Sequence, residues 1–268
     1  MTPQLHYSFL GAGQMGSAIL GGLVRGGVPA ANVHVFDVRP ERGAELAATL
    51  GTVAEPSAND AVRAADVVFL AVKPQHLGDL LATLDPALLA RPTFVSIAAG
   101  KPLAWLEERL PGARVMRAMP NLAMRVGEGM SALCRGSRAT DEDAARAAFA
   151  LGCSGKVRPL PESLFDAVTA LSGSGPAFLA VVLRAFAEGA EALGMPADDA
   201  LFLAKQTMVG TAKVLSEGDA TLDEFVRAVT SAKGTTEAGL RVLDVPELRR
   251  LAADTLRAAA VRSAELAR

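Results

Sequence analysis

A chain of 268 residues, 27.7 kDa, half of it hydrophobic and 21% charged, suits one large domain or two medium ones and is too apolar for disorder. Its 27 basic and 29 acidic residues leave a net charge of -2 with no basic stripe, which excludes a nucleic-acid partner. Two cysteines, Cys134 and Cys153, and three scattered histidines give neither a disulfide framework nor metal-ligand spacing, so no metal and a reducing, cytoplasmic setting are expected.

The opening MTPQLHYSFLGAG has no charged segment followed by an apolar core and a cleavage site, so no export signal is expected. YSFL, VHVFD, VVFLAV, TFVSIA and ARVMRAM read as strands; between them Met15–Arg25 and Glu41–Leu50 space apolar residues three and four apart, as helices do. Strand alternating with helix predicts an α/β domain with a parallel sheet over residues 1–160. After Pro161 the strand signals stop, and helices are predicted over Pro176–Leu193, Ala197–Leu215, Leu222–Val229 and Pro246–Ala267. Thr221 and Glu224 form a capping box there, and Pro176, Pro196 and Pro246 sit at first-turn positions. Residues 161–268 are thus expected to be all-α. The uncharged run Ala167–Leu183 contains SGSGP, which is expected to break the helix and leave both halves too short to cross a membrane. Small and apolar residues along one side of the C-terminal helices predict self-association as a homodimer or a larger oligomer.

Phe9–Gly16, FLGAGQMG, places a GxGxxG after a strand and at the start of a helix, with Asp37 about 20 residues on, at the end of the next strand. Gly11 permits the tight turn, Gly13 lets backbone approach a pyrophosphate and Gly16 lets helix and strand touch. Gln14 and Met15 open the helix whose free N–H groups face the phosphates. Asp37 suits the ribose hydroxyls of NADH, whereas Arg39 and Arg42 suit the 2′-phosphate of NADPH, so both cofactors stay open. Three more strand-end loops, Ala71–Gln75 (including Val72, Lys73 and Pro74), Ser96–Gly100 and Ala118–Asn121, should outline the same crevice, because ligands bind beyond the carboxyl ends of parallel strands.

FLGAGQMG, ADVVFLAVKPQ, SIAAGKPLAWLEERL, VRAMPN, DAVTALSGSGPAF, LAKQTMVGTAKVL and TSAKGTTEAGLRVL together resemble the pyrroline-5-carboxylate reductase family nearly end to end. The resemblance implies a Rossmann-like N-terminal domain, a helical C-terminal dimerisation domain, and NADPH- or NADH-dependent reduction of a cyclic imine to proline. By position it implies cofactor-lining roles for Asn59, Lys73, Pro74, Ala98 and Asn121, and a substrate loop of Ser231, Gly234, Thr235 and Thr236, with Thr236 beside the ring nitrogen. Two departures stand out: Lys233 where a glycine is common, preceded by Ala232, and Leu122-Ala123 where Thr-Pro is common.

The loop's own residues allow a physical reading. A helix starting near Thr235 would leave the N–H groups of Gly234 to Thr236 unpaired and able to hold a carboxylate, with Glu237 facing outward. Ordinary capping by Ser231 or a threonine is the alternative. No histidine–carboxylate pair, nucleophile motif or metal cluster is expected, which is neutral for imine reduction because a protonated imine is already electrophilic. Two other functions remain open: a dehydrogenase of small hydroxy acids, with Lys205 as base, and a non-catalytic nucleotide-binding regulator. The methionines Met116, Met119, Met124 and Met130 read as packing, and Lys205 and Lys213 as solvent-facing.

Overall fold

The computed structural model describes residues 5–266; Met1–Gln4, the start of the segment read for an export signal, and Ala267–Arg268, the end of the last predicted helix, lie outside it. The chain forms two compact units, one of residues up to Ser174 together with those from Arg257 on, the other Gly175–Leu256.

The first unit is built on strands β1 (Tyr7–Leu10), β2 (Val33–Phe36), β3 (Val53–Ala54), β4 (Val67–Leu70), β5 (Thr93–Ser96), β6 (Arg114–Met119), β7 (Gly129–Arg135) and β8 (Gly155–Pro159). They form one sheet in the order β3-β2-β1-β4-β5-β6-β7-β8. Neighbours run parallel except β6 and β7, which are antiparallel. The order reverses direction beside β1, between β2 and β4, and this leaves a crevice at the carboxyl ends of those strands.

Helices α1 (Gln14–Arg25), α2 (Pro40–Leu50), α3 (Ala58–Ala64), α4 (Pro74–Ala82), α5 (Leu103–Arg109), α6 (Asp141–Gly152) and α7 (Phe165–Val168) complete this unit. The inner strands are mainly apolar, VVFL wholly so, because both faces of the sheet are covered. Leu10, Val68, Leu70 and Phe94 point into one core with Leu77 and Leu106, while Phe9, Phe69, Val95 and Met116 point into the other with Ile19 and Leu151. Phe9 and Phe69 stack at 4.9 Å. Each such fully buried side chain contributes about 1.5–3 kcal/mol relative to exposure. Met116 and Met124 are buried and Met119 packs against the first core, in line with a packing role.

Helices α8 (Gly175–Ala192), α9 (Ala197–Glu217), α10 (Leu222–Ala228), α11 (Thr235–Leu243) and α12 (Pro246–Leu266) follow, the last of them crossing the division between units. Thr221 and Glu224 make the expected reciprocal capping box on α10. Lys205 and Lys213 are exposed on α9.

One expectation fails. SGSGP does not break the helix: Thr169–Gly173 form a π-helical turn, and helix runs from Glu162 to Ala192. Gly173 serves close packing instead, since a Cβ there would lie 2.7 Å from Met119 Cε, and the Thr169 and Ser172 hydroxyls donate to carbonyls one turn back. By length and a mean hydropathy of 1.4, this run does meet the requirement for a membrane span, although one such helix is weak grounds for one.

Candidate active site

The glycine loop begins where β1 ends. The Gly11 N–H donates to Phe36 O at 2.7 Å, and Ala71 N–H donates to Leu10 O at 2.9 Å, so the loops after β1, β2 and β4 are drawn together. Gly11 has φ +113°, and a Cβ there would stand 2.7 Å from Ala71 O, so neither the conformation nor the space admits a side chain. At Gly16 a Cβ would meet Gly11 O at 2.4 Å, the helix–turn contact the motif requires. Gly13 differs: nothing lies within 4 Å of where its Cβ would be. That open space sits over the start of α1, whose N-cap Gly13 provides no side-chain cap. Its first N–H groups have no intrahelical acceptor and suit an anion.

Asp37 follows β2 and is pinned at both oxygens. Oδ2 accepts the Ala12 N–H at 2.8 Å and Oδ1 accepts the Arg39 N–H at 3.0 Å. Across the crevice, Ser57 caps α3 by accepting the Asp60 N–H at 3.1 Å. Asn59, the second residue of α3, donates to Thr83 O at 3.1 Å and accepts the Asp85 N–H at 2.8 Å. Lys73 is the N-cap of α4, with Pro74 at its first position.

Together these walls enclose a cavity of about 760 Å³. Of the residues expected from sequence, Gly11, Gly13, Asp37, Arg39, Asn59, Ala71, Val72 and Lys73 line it. Gln14, Met15, Gly16 and Pro74 are adjacent in the chain but outside its wall. Ala98 and Asn121 lie further along the sheet, beyond β5 and β6, and are buried. Asn121 is occupied locally: its amide donates to Ser172 O at 3.0 Å and accepts the Met130 N–H at 3.1 Å. Sequence reading missed Ser57, His76, Asp79, Leu80 and Thr83 in the wall. Ser57 had a signal, because Asp60 three residues on marks a helix start; the α4 residues had none beyond following Lys73.

The cavity suits a dinucleotide. It combines a glycine whose missing side chain leaves room for a phosphate, free helix N–H groups behind that room, and a carboxylate at the end of the second strand.

The helical unit presents the other expected cluster. Gly234 is the N-cap of α11 without a side-chain cap, and a Cβ on it would fall 2.3 Å from Ser231 Oγ. Among the described residues the hydroxyls of Ser231, Thr235 and Thr236 have no hydrogen-bond partner, so capping does not occupy them. One detail differs from expectation: the Gly234 N–H is not free but donates to Ser231 O at 3.0 Å, closing the turn. Glu237 is held at both oxygens: its Oε2 accepts the Lys233 N–H at 2.5 Å and its Oε1 pairs at 2.6 Å with the exposed Arg241. The reason is backbone geometry. Lys233 has φ +57°, the left-handed conformation that favours glycine, and the glutamate accepts its N–H.

A histidine–carboxylate pair, which the sequence was not expected to supply, also exists. His34 Nδ1 lies 2.7 Å from Glu55 Oε1, and His34 Nε2 lies 3.2 Å from His6 Nδ1. It sits along β2 and outside the cavity wall, because register places His34 beside Ser8. Burial, with Glu162 nearby, pushes the Cys134 thiol up to about 12, which rules it out as a nucleophile near neutral pH. Among the described residues no group of three or more His, Cys, Asp or Glu could hold a metal.

Residues 162–266 match the family model described as pyrroline-5-carboxylate reductase dimerisation, and residues 6–100 match that described as NADP oxidoreductase coenzyme F420-dependent. The chain is 40% identical to the pyrroline-5-carboxylate reductase of Methanosarcina acetivorans, covering 96% of each chain. It is 38% identical to that of Pseudomonas aeruginosa, over 99% of this chain and 97% of the relative. A solved structure of a pyrroline-5-carboxylate reductase from Coxiella burnetii superposes with a TM-score of 0.95 at 29% identity, covering 99% of both chains.

Proposed function

The chain belongs to the pyrroline-5-carboxylate reductase family, and from that premise we propose that it reduces the cyclic imine 1-pyrroline-5-carboxylate to L-proline with NADPH or NADH. The observation that carries this reading is full-length similarity to reductases of that name, in a chain that also has a glycine cradle fit for a dinucleotide.

When bound, the reduced nicotinamide supplies the hydride. The protein's own work is to position and to exclude water. Residues Gly11, Gly13, Gln14, Met15 and Gly16 form the phosphate turn, and Asp37 and Arg39 meet the adenosine ribose. Asn59, Ala71, Val72, Lys73 and Pro74 wall the crevice, with Ala98 and Asn121 toward the nicotinamide. In the loop before α11, Ser231 and Thr235 hold the substrate carboxylate through hydroxyl and backbone N–H donors, and Gly234 leaves the room that Ser231 and the anion need. Thr236 orients the ring nitrogen with its hydroxyl, so it is the catalytic residue of this reading. Imine protonation lets a hydroxyl suffice where an alcohol oxidation would need a base, provided carbon and hydride are held at about 3–3.5 Å.

Functionally we assign residues 1–160 to the cofactor and 161–268 to substrate binding and dimerisation. The exposed Leu179, Val182, Phe186 and Phe202 fit burial against a second copy, which also accounts for the apolar helix without a bilayer. We read the protein as a cytoplasmic homodimer, or an oligomer built from dimers. The test is spectrophotometric: reduced nicotinamide should be consumed on adding pyrroline-5-carboxylate, with proline formed in equal amount. Consumption of neither cofactor would overturn the assignment.

A further inference from the structure

Which of the two cofactors this chain favours is decided at Asp37. Resting on the reading of the cavity as a dinucleotide site, we propose that Asp37 makes the protein selective for NADH over NADPH.

The carboxylate faces the cavity at the end of β2, yet its side chain is only 9% exposed. It cannot swing aside, because each oxygen accepts a backbone N–H, from Ala12 at 2.8 Å and from Arg39 at 3.0 Å. Those bonds tie it to the glycine loop and to the start of α2 at once. One lone pair on each oxygen is left over, a match for the two donors of a ribose 2′,3′-diol. A 2′-phosphate offers no such donors and places like charge against the carboxylate.

Arg39 is the competing influence. Its Nε lies 3.6 Å from Asp37 Oδ1 and the side chain is 56% exposed, so it is free to reach a phosphate. Its charge, however, is already balanced by Asp37, so a phosphate placed there meets a near-neutral pair instead of a cation. Arg42 gives no further help, for it pairs with Glu45 at 3.7 Å and is outside the cavity wall. Lys73 and His76 also line the cavity, but Asp79 does too, so its charged lining holds no dedicated cationic clamp.

Titration calorimetry of the purified protein with NADH and with NADPH, without substrate, reads the preference directly. NADH should bind at least tenfold more tightly. Asp37→Asn keeps an oxygen for the Ala12 N–H while removing the charge, and should narrow the ratio at least fivefold. Equal or tighter binding of NADPH by the unaltered protein overturns the proposal and leaves the reductase assignment intact. A ratio unmoved in a folded Asp37→Asn protein also overturns it. If that variant fails to fold, the unaltered protein's ratio decides. Failure to bind either dinucleotide overturns both this proposal and the reading of the cavity.

Discussion

The two units differ in where their apolar side chains go. In the sheet unit Phe9, Phe69 and Phe94 are fully buried within a single copy, whereas in Gly175–Leu256 the buried apolar side chains among the described residues are two alanines, Ala187 and Ala200. Its larger ones, such as Phe186 and Phe202, stay exposed at 57% and 68%. The first unit is a finished hydrophobic core; the second has the composition of a core and the exposure of half an interface. Stability should therefore be a property of one chain in the first and of chain concentration in the second.

The contrast can be broken from either side. In the sheet unit Asp143 is fully buried, accepting bonds from Thr93, from Thr140 N–H at 2.9 Å and Thr140 hydroxyl at 2.8 Å, with Arg114 at 3.3 Å. Burial alone would raise its carboxyl, but these donors and the arginine hold it below the ordinary 3.8. Asp143→Ala should cost about 3 kcal/mol in urea unfolding of this unit, by stranding its donors and Arg114. Because the folded value is depressed, the carboxylate's contribution is present above the unfolded value and lost as pH falls through the folded one. The variant's stability should accordingly depend less on pH in that acid range.

A change of similar violence in the helical unit should act differently. Phe186→Glu should raise the dissociation constant for self-association at least a hundredfold, about 2.7 kcal/mol, measured by light scattering over a concentration series. Unfolding of the sheet unit should barely move. A smaller effect is expected at the proposed substrate loop, where Thr236→Ala should lower turnover at least tenfold with circular dichroism unchanged; unchanged kinetics would make the hydroxyl a bystander. Smallest is Lys233→Gly. Relief of left-handed strain and the greater freedom of glycine in the unfolded chain oppose each other, so melting should shift by less than about 1 kcal/mol.

Legibility in the sequence followed burial. Five strands were readable because two-sided burial makes them mainly apolar, wholly so in VVFL. Three were not: β3 has two residues, β8 reads GKVRP and is half-exposed, and β7 gave no sign that it runs against β6. At the site the glycine turn was legible, since Gly11 and Gly16 answer local steric demands. The posture of Glu237 was not, because it depends on the φ of Lys233 four residues earlier. SGSGP misled for a related reason: glycine reads as a breaker until a neighbour, here Met119, is seen to need the room.

By itself the sequence determined the alternation of strand and helix, the phosphate turn and the family, since these rest on local periodicity, sterics and residue identity along the chain. Tertiary structure alone decided that both oxygens of Asp37 are held by backbone N–H groups, that Asn121 is tied to Ser172 and Met130, and that a histidine pairs with Glu55. Most of these bonds join residues far apart in sequence, and distance in space is fixed by sheet order and packing, not by spacing along the chain.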